Sequence, residues 1–302
     1  MVKSVTNKTG KKFPWWKIVV YGILVLYTLF LMVPFVIMII TSLTPDEEYI
    51  MTDGYIWFPK SPSLEAYRTV FLDDPFSTNG IPSLVVGFFN TMWMTLIPLI
   101  SSLLLSGVAA YCYSKHKFLG KEKLFFISVM TMFIPLGAFG IVSYMMFMSF
   151  GWTEGWQAVL PIVVPGLFGS VGTVFFLRPY FDSISNEIIE AARIDGMGFW
   201  QIFFKVMLPL GKPAFISQFI FGFVGGYNNY GAALLYLFSG DPKFWTLQLA
   251  LQQLVEYARG GYIVGVNVSC AATLMSMLPL IVLYIFCQKY FIKGIAVGGG
   301  KE

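Results

Sequence analysis

Apolar residues run through this chain in long blocks, separated by short polar segments. A bilayer-crossing helix needs roughly 20 mostly apolar residues, and six windows qualify: 18–43, 84–113, 124–149, 156–178, 214–238 and 264–288. The expected fold is therefore an all-α integral membrane protein with six transmembrane helices. The pattern divides the chain into an N-terminal tail (1–17), a first helix (18–43), a polar loop (44–83), a five-helix core (84–288) and a C-terminal tail (289–302). The first apolar block is far longer than the ~7–15 residues of a cleavable signal and is kept as a span.

Composition agrees with lipid as the main solvent. Of 302 residues, 57% are hydrophobic and only 12% are charged, about half the usual charged fraction of a soluble domain. The mean hydropathy is +0.71. Charge placement orients the spans, because short cytoplasmic loops carry an excess of Lys and Arg. Lys3, Lys8, Lys11, Lys12 and Lys17 precede the first span, and Lys115, Lys117, Lys121 and Lys123 follow the second. Arg178, Arg193, Lys205 and Lys212 lie between spans four and five, and Lys289, Lys293 and Lys301 follow the sixth. The alternate loops hold only Lys60, Arg68, Lys243 and Arg259. Both termini are thus expected in the cytoplasm.

Candidate chemistry is sparse. Cys112, Cys270 and Cys287 lie in apolar runs without paired spacing, which suggests neither a disulfide framework nor a metal site. The single histidine, His116, reads as a solvated loop residue. No Gly-Lys pair has P-loop context, Gly196-Met197-Gly198 lacks the rest of a dinucleotide fingerprint, and HExxH and GxSxG are absent. No catalytic residue, bound cofactor or nucleic-acid partner is expected. The acids of the first loop (Asp46, Glu47, Glu48, Asp53, Asp73, Asp74) read as solvated. No charged residue lies deep in a span, which disfavours a proton-coupled carrier. The polar residues within the spans are amides: Asn90, Gln218, Asn228, Asn229 and Asn267. Such amides either join helices or hydrogen-bond a neutral solute. Tyr227-Asn228-Asn229-Tyr230 places two amides between two phenols, a grouping that suits a sugar-like solute. Pro34, Pro98, Pro135, Pro161, Pro165 and Pro279 read as kinks whose freed carbonyls neighbouring helices satisfy.

One segment interrupts the apolar pattern with charge: IIEAARIDGMGFWQIFFKVMLPLGKPA, from residue 188. Ser183 and Ser185 are both placed to cap a helix starting near Asn186, with Glu187 and Glu190 in its early turns. Gly196 ends it. A second helix over 199–207 is expected to stop at Pro209 and Pro213. The element belongs at the cytoplasmic surface, where exposed acids and alanines make a poor lipid anchor but a good fit for a protein groove.

Glu190-Ala191-Ala192, Gly196 and Leu208-Pro209 resemble the EAA loop of membrane subunits of binding-protein-dependent ABC importers, with Val206 where that pattern has Ile. Residues 90–126, 175–196, 244–251 and 288–301 are similar to the carbohydrate-type branch, particularly its maltose-type second membrane subunit. The resemblance implies a type I ABC importer permease fold with a coupling helix over 186–200, in an EAA loop (182–212) between spans four and five. It implies ATPase coupling through Glu187, Glu190, Ala191, Ala192, Arg193, Asp195, Gly196, Leu208 and Pro209. Glu190 would be the acidic contact, Ala191 and Ala192 the close-packing face, and Gly196 the turn. Tyr227 to Asn229 stand where such permeases often carry Trp-Asn-Asp, so the substrate path is expected among Asn90, Gln218, Tyr227, Asn228, Asn229, Tyr230 and Asn267. Implied partners are a second homologous permease subunit, a cytoplasmic ABC ATPase dimer holding ATP and Mg2+, an extracytoplasmic solute-binding protein meeting loop 239–262, and the lipid bilayer. A sugar or oligosaccharide is the implied cargo. Peptide, polyol or polyamine cargo, a membrane-embedded enzyme and an ATPase-independent carrier remain as alternatives.

Overall fold

The computed structural model describes residues 15–52, 56–257 and 265–298. The lysines at 3, 8, 11, 12 and 301, Asp53 and Arg259 lie outside them. Among the described residues the architecture is helical, with one isolated β-bridge, Thr78 to Ile81. The first half contains α1 (Trp15–Ser42), α2 (Asp46–Met51), α3 (Glu65–Leu72), α4 (Ser83–Lys115), α5 (Lys121–Thr131), α6 (Gly140–Ser149) and α7 (Leu160–Val163). The second half contains α8 (Val171–Asp182), α9 (Asn186–Ile194), α10 (Phe199–Ile202), α11 (Leu208–Leu210), α12 (Lys212–Tyr227), α13 (Tyr230–Leu237), α14 (Leu247–Tyr257) and α15 (Val266–Gly298).

Among the described residues, four helical segments are long and apolar enough to cross a membrane: 15–42, 83–115, 155–182 and 266–288. A fifth crossing is available if 199–210 and 212–227, which meet at 78°, form one broken span. The expected third span, 124–149, is not one helix. It breaks into α5 and α6 through a 3-10 turn over Leu136–Phe139 that follows Pro135. Proline removes a backbone donor and clashes with the turn before it, and Gly137 and Gly140 weaken the helix further. The expected fourth span is likewise segmented between Pro161 and Gly169 before α8 begins. The fifth divides at Asn228-Asn229, where Asn229 caps α13 by accepting from the Ala232 amide at 3.2 Å.

Helix α4 is the spine, packing against α8, α12 and α14. One core cluster joins α4, α12 and α14 with α15 around Met94, Phe223, Tyr227, Leu247, Leu249 and Ala271. The other joins α4 and α8 to the segment from α9 to α12, around Tyr111, Leu177, Phe181, Ile189, Phe203 and Met207. Small residues set the spacing: a Cβ on Gly222 would strike Leu99, and one on Gly226 would lie 2.5 Å from Thr95. Such close approach is how helices associate where lipid offers no hydrophobic drive. Helix α1 packs on α15 and buries only Ser42, so its apolar surface suits contact with acyl chains.

The polar loop is tied, not solvated, at the end that leads into α4. Asp74 is 6% exposed, and its carboxylate accepts from the amides of Phe76 and Ser83. A buried carboxylate at the start of a 33-residue helix also complements that helix's positive end, which corrects the expectation of a solvated acid at this position.

Candidate functional site

Two places carry the chemistry: the charged element around α9 and a cavity among the spans. Ser185 is the cap of α9, its hydroxyl accepting from the Glu187 amide at 3.2 Å. At about 100° per residue, Ile189 and Ala192 turn inward into the second core cluster. Glu187, Glu190, Ala191 and Ile194 turn outward, with Ile194 86% exposed. The two alanines are thus split between faces. Ala192 packs within the chain, and only Ala191 is free to meet a partner. Arg193 and Asp195 are exposed at the helix end. Gly196 adopts φ +80° and lets the Met197 amide bond back to the Ala192 carbonyl at 3.0 Å. This is a left-handed terminus that glycine adopts without strain.

The following helix runs past its expected end. Residues Phe203–Met207 form a π-turn, and Leu208 bonds back five residues to the Phe203 carbonyl. A π-turn just before Pro209 relieves the clash of its ring with the preceding carbonyls. The sharp bend comes instead at Gly211, where a Cβ would lie 2.7 Å from Phe181 and 2.9 Å from the Met207 carbonyl. Leu208 is half-buried and Pro209 exposed on this segment.

His116 is half-buried and not a freely solvated loop residue. Its ring lies 4.9 Å from Tyr111 and 5.3 Å from Phe199, so it joins α4 to the segment after α9. Desolvation, and then the nearby positive charge of Arg193, lower its pKa from the ordinary 6.5. The unfolded histidine therefore takes up a proton more readily than the folded one, and stability falls as pH drops through 6.5 toward the lowered value. Melting temperature should decline over that window in the wild type. His116→Phe should flatten this decline in a parallel thermal series.

The cavity, about 300 Å³, lies between α4, α7, α8 and α12. Gln218 and Asn229 are the two expected path residues that line it. Thr91, Thr95, Ser102, Ser170, Thr173 and Thr246 join them, and no ionised side chain does. These hydroxyls were not singled out from the sequence, because serine and threonine inside a span usually bond back to their own helix. The other expected path residues are placed differently. Asn90 donates to the carbonyls of Lys243 and Trp245 at 2.8 and 2.9 Å, stitching the 243–247 segment to α4. Asn267 is 2% exposed and donates to the Thr44 carbonyl at 3.0 Å. Asn228 bonds back to Val224 and accepts from Gln248, and it is not among the residues that line the cavity. Tyr230 packs against the first core cluster.

Tyr227 is 1% exposed, and its hydroxyl donates to the Ser276 carbonyl at 2.7 Å. Ser276 lies on α15 next to Met275, the carbonyl whose helical donor Pro279 removes, so the phenol adds an interhelical bond beside the disturbed turn. Tyr227→Phe should destabilise by about 1 kcal/mol, the scale of interhelical hydrogen bonds in bilayers. A detergent thermal melt that is unchanged would contradict this role.

The family model for the binding-protein-dependent transport system inner membrane component matches residues 102–297. The chain belongs to that family. It is a multi-pass membrane component of an importer and not an enzyme. It is 30% identical over 295 residues to the polygalacturonan/rhamnogalacturonan transport system permease protein YtcP of Bacillus subtilis (strain 168), covering 93% of this chain and 96% of that one. The maltodextrin transport system permease protein MdxG of the same organism is 28% identical, over 71% of this chain and 74% of that one. A chain from the crystal structure of a bacterial ABC transporter involved in the import of the acidic polysaccharide alginate matches with a TM-score of 0.76 and 26% identity. That match covers 91% of this chain and 96% of the other. The nearly all-helical fold is the type I permease fold of these importers. Among the described residues, no group of three or more His, Cys, Asp and Glu is placed to hold a metal.

Proposed function

We propose that this permease forms half of the translocation path of an ATP-driven importer for a sugar or oligosaccharide. The observation that carries the cargo class is the cavity: hydroxyls and amides line it, and no ionised side chain does. Polyhydroxy solutes exchange hydrogen bonds with such groups at little cost, whereas a polyamine would want acids there. The names of the relatives, permease proteins of polygalacturonan/rhamnogalacturonan and maltodextrin transport systems, support the same class.

In this reading the chain crosses the membrane six times with both termini in the cytoplasm. Residues 84–288 are the permease core, and 182–212 is the cytoplasmic coupling loop. The segmented 121–149 region supplies the third crossing as two short helices. A second, homologous membrane subunit completes the path, and a solute-binding protein delivers cargo at the outer side. ATP and Mg2+ are held by a partner ATPase dimer, whose closure pushes on the outward face of α9. That push rocks the spans about the cavity and exchanges its opening between the two sides. The test is reconstitution of the complex in liposomes with ATP inside and a panel of solute-loaded binding proteins outside. Sugar-dependent stimulation of ATP hydrolysis with concentrative uptake is expected. Stimulation by peptide or polyamine loads alone would overturn the cargo class.

A further inference from the structure

The coupling loop is attached to the rest of the chain by more than its two covalent ends. Those ends are both breaks in the helical path: the turn at 183–185 precedes α9, and the 78° bend at Gly211 follows the α10–α11 segment. Apolar packing of Ile189 and Ala192 joins the loop to α4 and α8, and a polar connection is added to it at the end of α4. The Lys115 ammonium, on the last residue of α4, donates to the Ile184 carbonyl at 2.5 Å and to the Asn186 side-chain oxygen at 3.0 Å. It also approaches the Asp182 carbonyl at 3.5 Å. Beside it, the Ser114 hydroxyl donates to the Asp182 carboxylate at 2.6 Å. Asp182 ends α8, Ile184 lies in the turn, and Asn186 opens α9. One cation therefore closes the joint between two helices from the end of a third.

Three features make this a transmission contact and not a surface decoration. Lysine offers three donors on a point charge, matched here to two carbonyls and an amide oxygen. It also sits at the negative end of α8, where a cation is favoured. Most important is what it is attached to. Helix α4 lines the cavity with Thr91, Thr95 and Ser102, and Ser102 is about 20 Å along the same helix from Lys115. Pro98 is the one proline within α4 and lies on the far side of Ser102, so the stretch from Ser102 to Lys115 is an uninterrupted rod.

We propose that Lys115 is a positioning residue that passes movement of the coupling helix α9 directly to the cavity-lining helix α4. Force on α9 then reaches the cavity through α4 without first straightening the Gly211 bend. The inference rests on the reading of α9 as the ATPase-docking helix, and its test separates the two.

The full importer, with its ATPase, is purified and reconstituted with wild type, Lys115→Met, the double variant Ser114→Ala/Asn186→Ala, and Glu190→Lys as a docking control. Solute taken up per ATP hydrolysed and ATPase retained on the membrane complex are both measured. Lys115→Met is expected to retain the ATPase at the wild-type level and to lower uptake per ATP about 3- to 10-fold, the usual size of a coupling change. Ser114→Ala/Asn186→Ala should shift the ratio in the same direction, and it carries the test if Lys115→Met does not accumulate. Addition of Asn186→Ala to Lys115→Met should lower the ratio little further, because both act through one contact. A wild-type ratio in Lys115→Met, or in the double variant where Lys115→Met fails to accumulate, overturns the proposal. If Glu190→Lys leaves both retention and the ratio unchanged, the docking reading itself fails, and the Lys115 proposal falls with it.

Discussion

Glu190→Lys is expected to abolish solute uptake while leaving the helical fold intact. Glu190 lies on the exposed face of α9, between Glu187 and Ile194, and none of the hydrogen bonds that position α9 involves its side chain. Reversal of its charge should therefore cost little in folding, because solvated surface substitutions usually stay within about 0.5 kcal/mol. At a protein groove the same change matters far more. Loss of one partner of a desolvated charge pair costs about 2–5 kcal/mol of binding, and reversal adds repulsion. The measurement is ATPase retention and uptake at matched membrane levels of the variant. Full uptake would refute the role of α9 as the docking helix. Gly196→Val tests the same element by backbone geometry. A Cβ there has nothing within 4 Å, so the left-handed φ of +80°, which costs an L residue roughly 1–2 kcal/mol and a β-branched one more, dominates the change. That strain should rotate α9 against its neighbours and impair coupling more than stability.

The second large effect is structural. Gly87→Ala is expected to destabilise the packing of α4 against the 243–247 segment by about 1–3 kcal/mol, the cost of overpacking. A Cβ on Gly87 would lie 2.9 Å from both the Cα and the amide nitrogen of Leu247, and backbone cannot swing aside as a side-chain tip can. The segment it would displace is held to α4 at several points. Thr91 accepts from the Leu247 amide at 2.9 Å, and Asn90 donates to the carbonyls of Lys243 and Trp245. Moving the segment would strain these bonds together. Gly225→Ala is the control: it lies within α12 with open space at its Cβ position. There alanine should be neutral or slightly stabilising, because glycine weakens a helix interior by about 0.5–1 kcal/mol. Thermal melts of the two variants in one detergent should separate them. Equal melting temperatures would contradict the close-packing account.

The sequence by itself determined the solvent, the helical class and the limits of the charged helix α9. Block hydrophobicity and a 12% charged fraction leave lipid as the medium for most of the surface. Ser185, Glu187 and Gly196 specify the ends of α9 through short-range bonds, which is why its limits were legible within a residue or two. Pro135 and Asn228-Asn229 were visible too, but only packing decides whether a proline bends a helix or divides it. Pro98 leaves α4 continuous, whereas Pro135 precedes the break between α5 and α6. What tertiary structure alone decided was the use of each polar side chain. Asn90 and Asn267 have the composition of path residues, and both spend their hydrogen bonds on backbone carbonyls of distant segments. Tyr227 serves Ser276, while Thr95, Ser102 and Thr173 face the cavity. Local pattern places a residue on a helix, but whether it meets solute or a neighbour's backbone depends on which helix lies opposite, and that is a long-range fact. Lys115 is the clearest case. In sequence it is one of four basic residues in a loop, and only the fold brings the end of α4 against the joint that carries α9.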